Sequence, residues 1–138
     1  MELEKVVLLK KMPAFENVTE TALMDFVSLC DEETYAKSKV IIKHGKRNDN
    51  LYILQYGKVY LENKGKKVAT FKAGDMFGEI SGLCPMDVSF DAVVAEEAVL
   101  LKISHQNLLE VMTLHPSIMD GLIKILAIRL KQLDNKHI

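Results

Sequence analysis

The chain has 138 residues, 49% of them hydrophobic, which suits one domain around a single core and is too short for two of ordinary size. Eighteen Lys and Arg against 19 Asp and Glu leave a net charge of −1 and a pI near 6.4, so no global basic field draws nucleic acid or an anionic membrane surface. No apolar run is long enough to span a bilayer, and Met1-Glu-Leu-Glu-Lys5 lacks the basic start and hydrophobic stretch of a signal peptide, so a cytoplasmic location is expected.

Leu3 to Leu9 is an apolar-rich helical run stopped by Pro13, and Phe15 follows as a plug into the core. Thr19 reads as the N-cap of a second helix reaching about Cys30, with Val18 and Leu23 spaced as a hydrophobic staple. Its apolar face holds Ala22, Leu23, Phe26, Val27 and Leu29. From Glu33 to Ile103 the period becomes that of strands. The runs are Val40-Ile41-Ile42, Leu51 to Leu54, Val59-Tyr60-Leu61, Val68 to Phe71, Ala92-Val93-Val94 and Val99-Leu100-Leu101. Gly45 suits a hairpin turn, Gly57 with Lys58 suits the next, and Asn63-Lys64-Gly65 suits a third, with Lys64 to Lys67 a solvated loop. Runs this short and evenly spaced predict a rolled β-barrel or jelly roll.

Inside that region lies Phe71-Lys-Ala-Gly-Asp-Met-Phe-Gly-Glu-Ile-Ser81. Gly74-Asp75 reads as a turn, Phe77 as a buried anchor, and Gly78 as a place where backbone approaches a ligand with no Cβ in the way. If Glu79-Ile80-Ser81 opens a helical turn, its N–H groups point outward together and favour an anion. The following run, Ile80 to Ala95, carries Asp87, Ser89, Phe90 and Asp91 and no Lys or Arg.

Ser104 reads as the N-cap of a helix through Val111 and Met112, and Pro116 sits in the first turn of a last helix running toward Leu133. That helix is unusually apolar. Ile118, Met119, Leu122, Ile123, Ile125, Leu126, Ile128, Leu130 and Leu133 cover more of its circumference than packing on one side needs. A partner along Ile118, Leu122, Ile125, Leu126 and Leu133 is therefore expected, either a second copy or a fused or separate protein.

Other chemistry is thinly supplied. Cys30 and Cys84 are isolated, without C-x-x-C spacing or paired histidines, and both read as small core hydrophobes. His44, His105, His115 and His137 have no metal-ligand spacing. There is no G-x-x-x-x-G-K-[ST], no G-x-S-x-G and no nucleophile-base set, and Asp87 with Asp91 lack acid, base or metal partners nearby, so no enzyme and no cofactor are expected.

Gly74-Asp75-Met76-Phe77-Gly78-Glu79, set in this order of helices and short strands, resembles the cyclic-nucleotide-binding domain family. The resemblance implies a mainly β fold, an eight-stranded β-roll (jelly-roll barrel) with flanking helices. It divides a single domain, 1–138, into N-terminal helices 1–30, a roll 31–103 with a phosphate-binding cassette 74–92, and C-terminal helices 104–134. It also implies a non-catalytic regulatory or sensor module with cyclic AMP or cyclic GMP as ligand, held through Phe77, Gly78, Glu79, Ile80 and Ser81. In the family an Arg about ten residues further on pairs with the cyclic phosphate while the Glu takes the ribose hydroxyl. Laying Ala92-Val93-Val94 on the following strand puts Ser89 at that Arg position, and one residue of slip offers only Val88 or Phe90. The missing charge-assisted contact is worth roughly 1.5–3 kcal/mol. Asp87 and Asp91 flank the phosphate position and repel it, and Phe90 fills the space left for it. The alternative is a ligand-free scaffold or dimerisation domain acting through its last helix. After Leu133 too few residues remain for the helix-turn-helix found in many relatives, so no nucleic-acid partner is expected.

Overall fold

The computed structural model describes residues 2–137, with side chains through Asp134 in the last helix, so the His137 side chain lies outside it. The order is α1 Glu2–Lys10, a 3-10 turn Pro13–Phe15, α2 Glu20–Ser28, β1 Asp31–Tyr35, β2 Val40–Ile42, β3 Arg47–Asn48 and β4 Asn50–Asn63. Then come β5 Lys66–Phe71, β6 Met76–Phe77, α3 Glu79–Leu83, β7 Met86–Asp87, β8 Asp91–Ser104, α4 His105–Leu114 and α5 Pro116–His137. This is the eight-stranded, helix-flanked architecture that the sequence predicts. The chain falls into two compact units, one made of the segments up to Ser28 and from Glu110 onward, the other of Leu29–Leu109. Among the described residues no single helix is long and apolar enough to cross a membrane.

In the helical unit, α1 carries Glu2 and Glu4 in its first turn and Lys10 in its last, matching the helix dipole. The chain then turns at Pro13, and Phe15 is fully buried with its ring 5.3 Å from that of Phe26. Thr19 Oγ1 accepts the Ala22 N–H at 3.2 Å, so the predicted N-cap is present. The helix stops at Ser28, where the Ser28 hydroxyl donates back to the Asp25 carbonyl, and Cys30 beyond it is half-buried and not a core residue. α5 lies against the 3-10 turn so closely that a Cβ on Gly121 would stand 1.7 Å from the Ala14 carbonyl oxygen. Lys124 Nζ reaches Glu16 at 2.6 Å beside it. Ile118 and Leu122, expected on a partner-facing surface, are buried, Ile125 and Leu126 are half-buried, and Leu133 is exposed. Among the described residues, the large apolar side chains that α5 leaves in solvent are Met119, Ile123, Ile128, Leu130 and Leu133.

In the strand unit, one sheet runs β1-β8-β4-β5, with β2 on β8 and β6 on β4, while β3 and β7 form a separate ladder. β4 and β8, 14 residues each, pair antiparallel from Asn50↔Ser104 to Glu62↔Asp91. The sequence predicts turns inside both, and the structure has none. Gly57, at φ +92, sits where the register slips, and a Cβ there would lie 2.1 Å from the Glu97 carbonyl oxygen. A bulge absorbs the positive φ and bends the ladder without breaking it. Gly45 also makes a turn that is not a hairpin, because β2 pairs with β8 while β3 pairs with β7. Asn63 to Lys66 is the expected hairpin, with Lys64 and Gly65 at φ 54 and 79, a type I′ turn. Lys67 is not simply solvated, since its ammonium lies 4.4 Å from the Tyr60 ring centre. The core of the roll gathers Leu54, Val59, Phe77, Val94 and Leu100.

Candidate functional site

The turn at Gly74-Asp75 closes on itself and on β4. Gly74 N–H donates to the Leu54 carbonyl at 2.8 Å, Leu54 N–H to the Asp75 carbonyl at 2.9 Å, and Lys72 N–H to the Asp75 carboxylate at 2.9 Å. β6 then lies on β4, with Phe77 opposite Tyr52. The Phe77 ring stacks between those of Tyr52 and Phe71, at centre distances of 5.2 and 5.4 Å. Burial in this stack, with the Glu33 charge adding to it, pushes the Tyr52 hydroxyl up to about 12.

Gly78 follows at φ 72 and leads into the five-residue helix α3. Glycine is required here twice over, since the backbone is left-handed and a Cβ would stand 2.9 Å from the Asn50 carbonyl oxygen. Gly82 N–H returns to the Gly78 carbonyl at 2.7 Å, which leaves the Ile80 and Ser81 amides without an acceptor inside the helix. α3 is pinned by Asn48, a buried residue that the sequence reading passed over. Its side-chain amide donates to Ser81 Oγ at 2.6 Å and to the Asn50 carbonyl at 2.8 Å. His105, to which the sequence gives no chemistry, donates a ring N–H to the Gly82 carbonyl at 2.8 Å, and its backbone N–H donates to the Asp49 carbonyl. The end of α3 is thereby tied to the start of α4. Cys84, the residue that caps α3 with its N–H on the Ile80 carbonyl, is exposed and not the buried hydrophobe expected.

Beside α3 the roll opens a cavity of about 220 Å³. Phe77, Gly78, Glu79, Ile80, Ser81, Ser89 and Phe90 all line it. Leu61, Phe71, Met86 and Val88 line it too and were not singled out as site residues, since nothing in a β-roll pattern says which inward positions meet a void. Glu79 is buried, while Asp87 and Ser89 are exposed at the wall. Two acidic residues, Glu79 and Asp87, thus line the cavity, and among the described residues no Lys or Arg does. Asp91 corrects the sequence reading. Its carboxylate accepts the His44 N–H at 2.7 Å and lies 3.9 Å from Lys43, so it serves the turn after β2 and does not line the cavity.

A roll whose glycine-led helical turn overlooks a cavity in its wall has the architecture of a β-roll binding module. The chain belongs to the cyclic nucleotide-binding domain family, whose profile matches residues 32–115. It is 27% identical over 131 residues to the cyclic AMP receptor protein of Thermus thermophilus, covering 91% of this chain and 61% of the relative. It therefore spans about three fifths of that protein. Its fold superposes on a crystal structure of the Thermus thermophilus catabolite activator protein with a TM-score of 0.84 at 27% identity, over 90% of this chain and 61% of that one. The sensor domain of the transcriptional regulator DNR from Pseudomonas aeruginosa shares the fold alone, with a TM-score of 0.80 at 19% identity over 98% and 95% of the two chains.

Proposed function

We propose that this chain is the non-catalytic sensing module of a regulatory protein, one that takes cyclic AMP or cyclic GMP only weakly. The observation that carries this is the cavity wall, which Glu79, Asp87 and Ser89 line and which, among the described residues, no Lys or Arg lines. The Ile80 and Ser81 amides and the Glu79 carboxylate remain to meet a ribose phosphate. The absent guanidinium removes roughly 1.5–3 kcal/mol of that binding, about one to two decades of affinity. A ligand that moves α3 pulls on the Gly82 carbonyl and so on His105 at the head of α4, a route from cavity to helix that fits a sensor.

Calorimetric titration with cyclic AMP and with cyclic GMP, each to millimolar concentration, tests this. Weak saturable binding that vanishes in Glu79→Ala supports the reading. Submicromolar binding of either nucleotide overturns it. A second reading, a scaffold that works through α5, is favoured by the exposure of Met119, Ile123, Leu130 and Leu133 along that helix. It predicts a dimer in sedimentation that Ile123→Glu dissociates, whether or not any nucleotide binds.

A further inference from the structure

We infer that Asn48 is a positioning residue of this site: it acts through Ser81 to lock α3 to the head of α4, so that a change at α3 is read at His105. This rests on the reading of the cavity as the sensing site and assigns the part of the fold through which occupancy leaves it. Asn48 is buried and does not line the cavity, so a ligand there does not meet it. Its side-chain amide is fully used all the same. The two N–H groups reach Ser81 Oγ at 2.6 Å and the Asn50 carbonyl at 2.8 Å, and Oδ1 accepts the Asn50 N–H at 3.3 Å. An aspartate in its place would have acceptors and no donor. Ser81 is buried too, and its hydroxyl, besides accepting from Asn48, donates to the Gly78 carbonyl at 3.4 Å. That hydroxyl is engaged inside the fold, which makes it a strut between β4 and α3.

Three hydrogen bonds and two peptide links close a ring at this corner of the roll. Asn48 Nδ2 donates to Ser81 Oγ, the His105 backbone N–H donates to the Asp49 carbonyl at 2.7 Å, and the His105 ring donates from Nδ1 to the Gly82 carbonyl at 2.8 Å. Asn48 adjoins Asp49 and Ser81 adjoins Gly82, so each of the three segments is held by both of the others. Without the Asn48 bond the ring opens into a chain, in which α3 pivots on its one bond to His105. Packing leaves little slack for such a pivot while the ring is closed. A Cβ on Gly78 would stand 3.3 Å from Asn48 Nδ2, and one on Gly82 would stand 2.9 Å from the Leu51 nitrogen. Buried bonds in one network strengthen each other, so loss of the first weakens the other two.

Amide hydrogen exchange on the ligand-free 138-residue chain tests this, with Asn48→Ala, Ser81→Ala and the double variant. The His105 N–H is expected to exchange about tenfold faster in each single variant and no faster again in the double, because both changes remove the same bond. Val59→Ala controls for a general loss of stability, since Val59 is fully buried in the core of the roll and takes no part in the ring. His105 should keep the parent's rate in it. An unchanged His105 rate in the single variants, additive gains in the double, or an equal gain in Val59→Ala would overturn the assignment, the last by showing that Asn48 only supports the fold. Cyclic AMP is then added at millimolar concentration. Slower His105 exchange in the parent but not in Asn48→Ala supports the assignment, and equal slowing in both overturns it. No slowing in any variant, with the ligand-free pattern as expected, would overturn the sensing reading and leave the role of Asn48 standing.

Discussion

The two halves of the cassette are held by different things. From Gly74 to Gly82 the backbone itself is constrained. Gly74 and Gly78 sit at φ 92 and 72, Gly78 and Gly82 have carbonyl or amide atoms 2.9 Å from where a Cβ would be, and Asn48 bonds across to Ser81. From Met86 to Phe90 the backbone is tied by the β3–β7 ladder and by the bonds of Val88 to Gly45 and Lys46, but the side chains of Met86, Asp87 and Ser89 are exposed and only Val88 is buried. The first half is therefore part of the fold, and the second half can change its charge at little cost in stability. A chain can keep the family's architecture through one half while the ligand chemistry of the other is rewritten.

The largest effect should come from Gly78→Ala, which attacks the constrained half. Overpacking against the Asn50 carbonyl costs about 1–3 kcal/mol, and a left-handed backbone at a residue with a Cβ costs about 1–2 kcal/mol more. Urea unfolding reads the sum as a lowered midpoint. Ser89→Ala, in the other half, should move the midpoint by less than about 0.5 kcal/mol. Equal losses at the two positions would erase the distinction between the halves.

Next is Ser89→Arg, which puts a cation at an exposed position of the cavity wall. Affinity for cyclic AMP should rise by about one to two decades, the worth of a charge-assisted hydrogen bond of roughly 1.5–3 kcal/mol, while the unfolding midpoint stays near that of the parent. Calorimetry on the two proteins at equal ionic strength checks this, and no gain would mean that the wall at Ser89 does not face the phosphate. Asn48→Ala should follow, at about 1–3 kcal/mol of stability, because it leaves the Asn50 carbonyl and Ser81 Oγ without their buried donor. Its loss belongs to the same half as Gly78 and should appear as faster amide exchange in α3 before any global unfolding.

The same division explains what could be read from the chain before its structure. Gly74, Phe77, Gly78 and Glu79 were legible because backbone geometry restricts residue type strongly, and a glycine at positive φ leaves a mark in sequence. The charge of the second half was legible too, in the absence of Lys and Arg between Ile80 and Ala95. Asn48 was not, since an Asn beside a turn reads as turn chemistry, and its pairing with Ser81 spans 33 positions. Gly57 was misread as a hairpin for a related reason: a bulge and a turn ask for the same φ, and only the register of β4 on β8 tells them apart. Ile118 and Leu122 were assigned to a partner because an apolar helix face announces burial without saying what buries it.

The smallest effect expected lies outside the cassette, where β1 meets β8, and it tests whether pH acts through the cavity or through the sheet. Tyr35 donates its hydroxyl to Glu33, and Lys102 Nζ approaches the other carboxylate oxygen at 3.1 Å. The Tyr35 hydroxyl, then Lys102, hold the Glu33 carboxyl below its usual range against the opposing effect of burial. A carboxyl lowered by folding contributes stability above its unfolded value, and that contribution is lost as pH falls through the folded one, on the acid side of the ordinary carboxylate range. Glu33 is about one third exposed, with its side chain at 33% of full accessibility, so solvent screening keeps the contribution below about 1 kcal/mol. Burial, chiefly, raises the Tyr35 hydroxyl and lifts that of Tyr52 from 10.0 to about 12, so their contributions are present below pH 10 and lost as pH climbs through the raised values. Glu33→Gln should flatten the acid limb of a stability profile and leave ligand affinity at neutral pH unchanged, because Glu33 does not line the cavity. A shift in affinity for cyclic AMP in Glu33→Gln would instead mean that its charge reaches the cavity through Tyr52 and the Phe77 stack, and the sheet and the cassette would then have to be treated as one electrostatic unit.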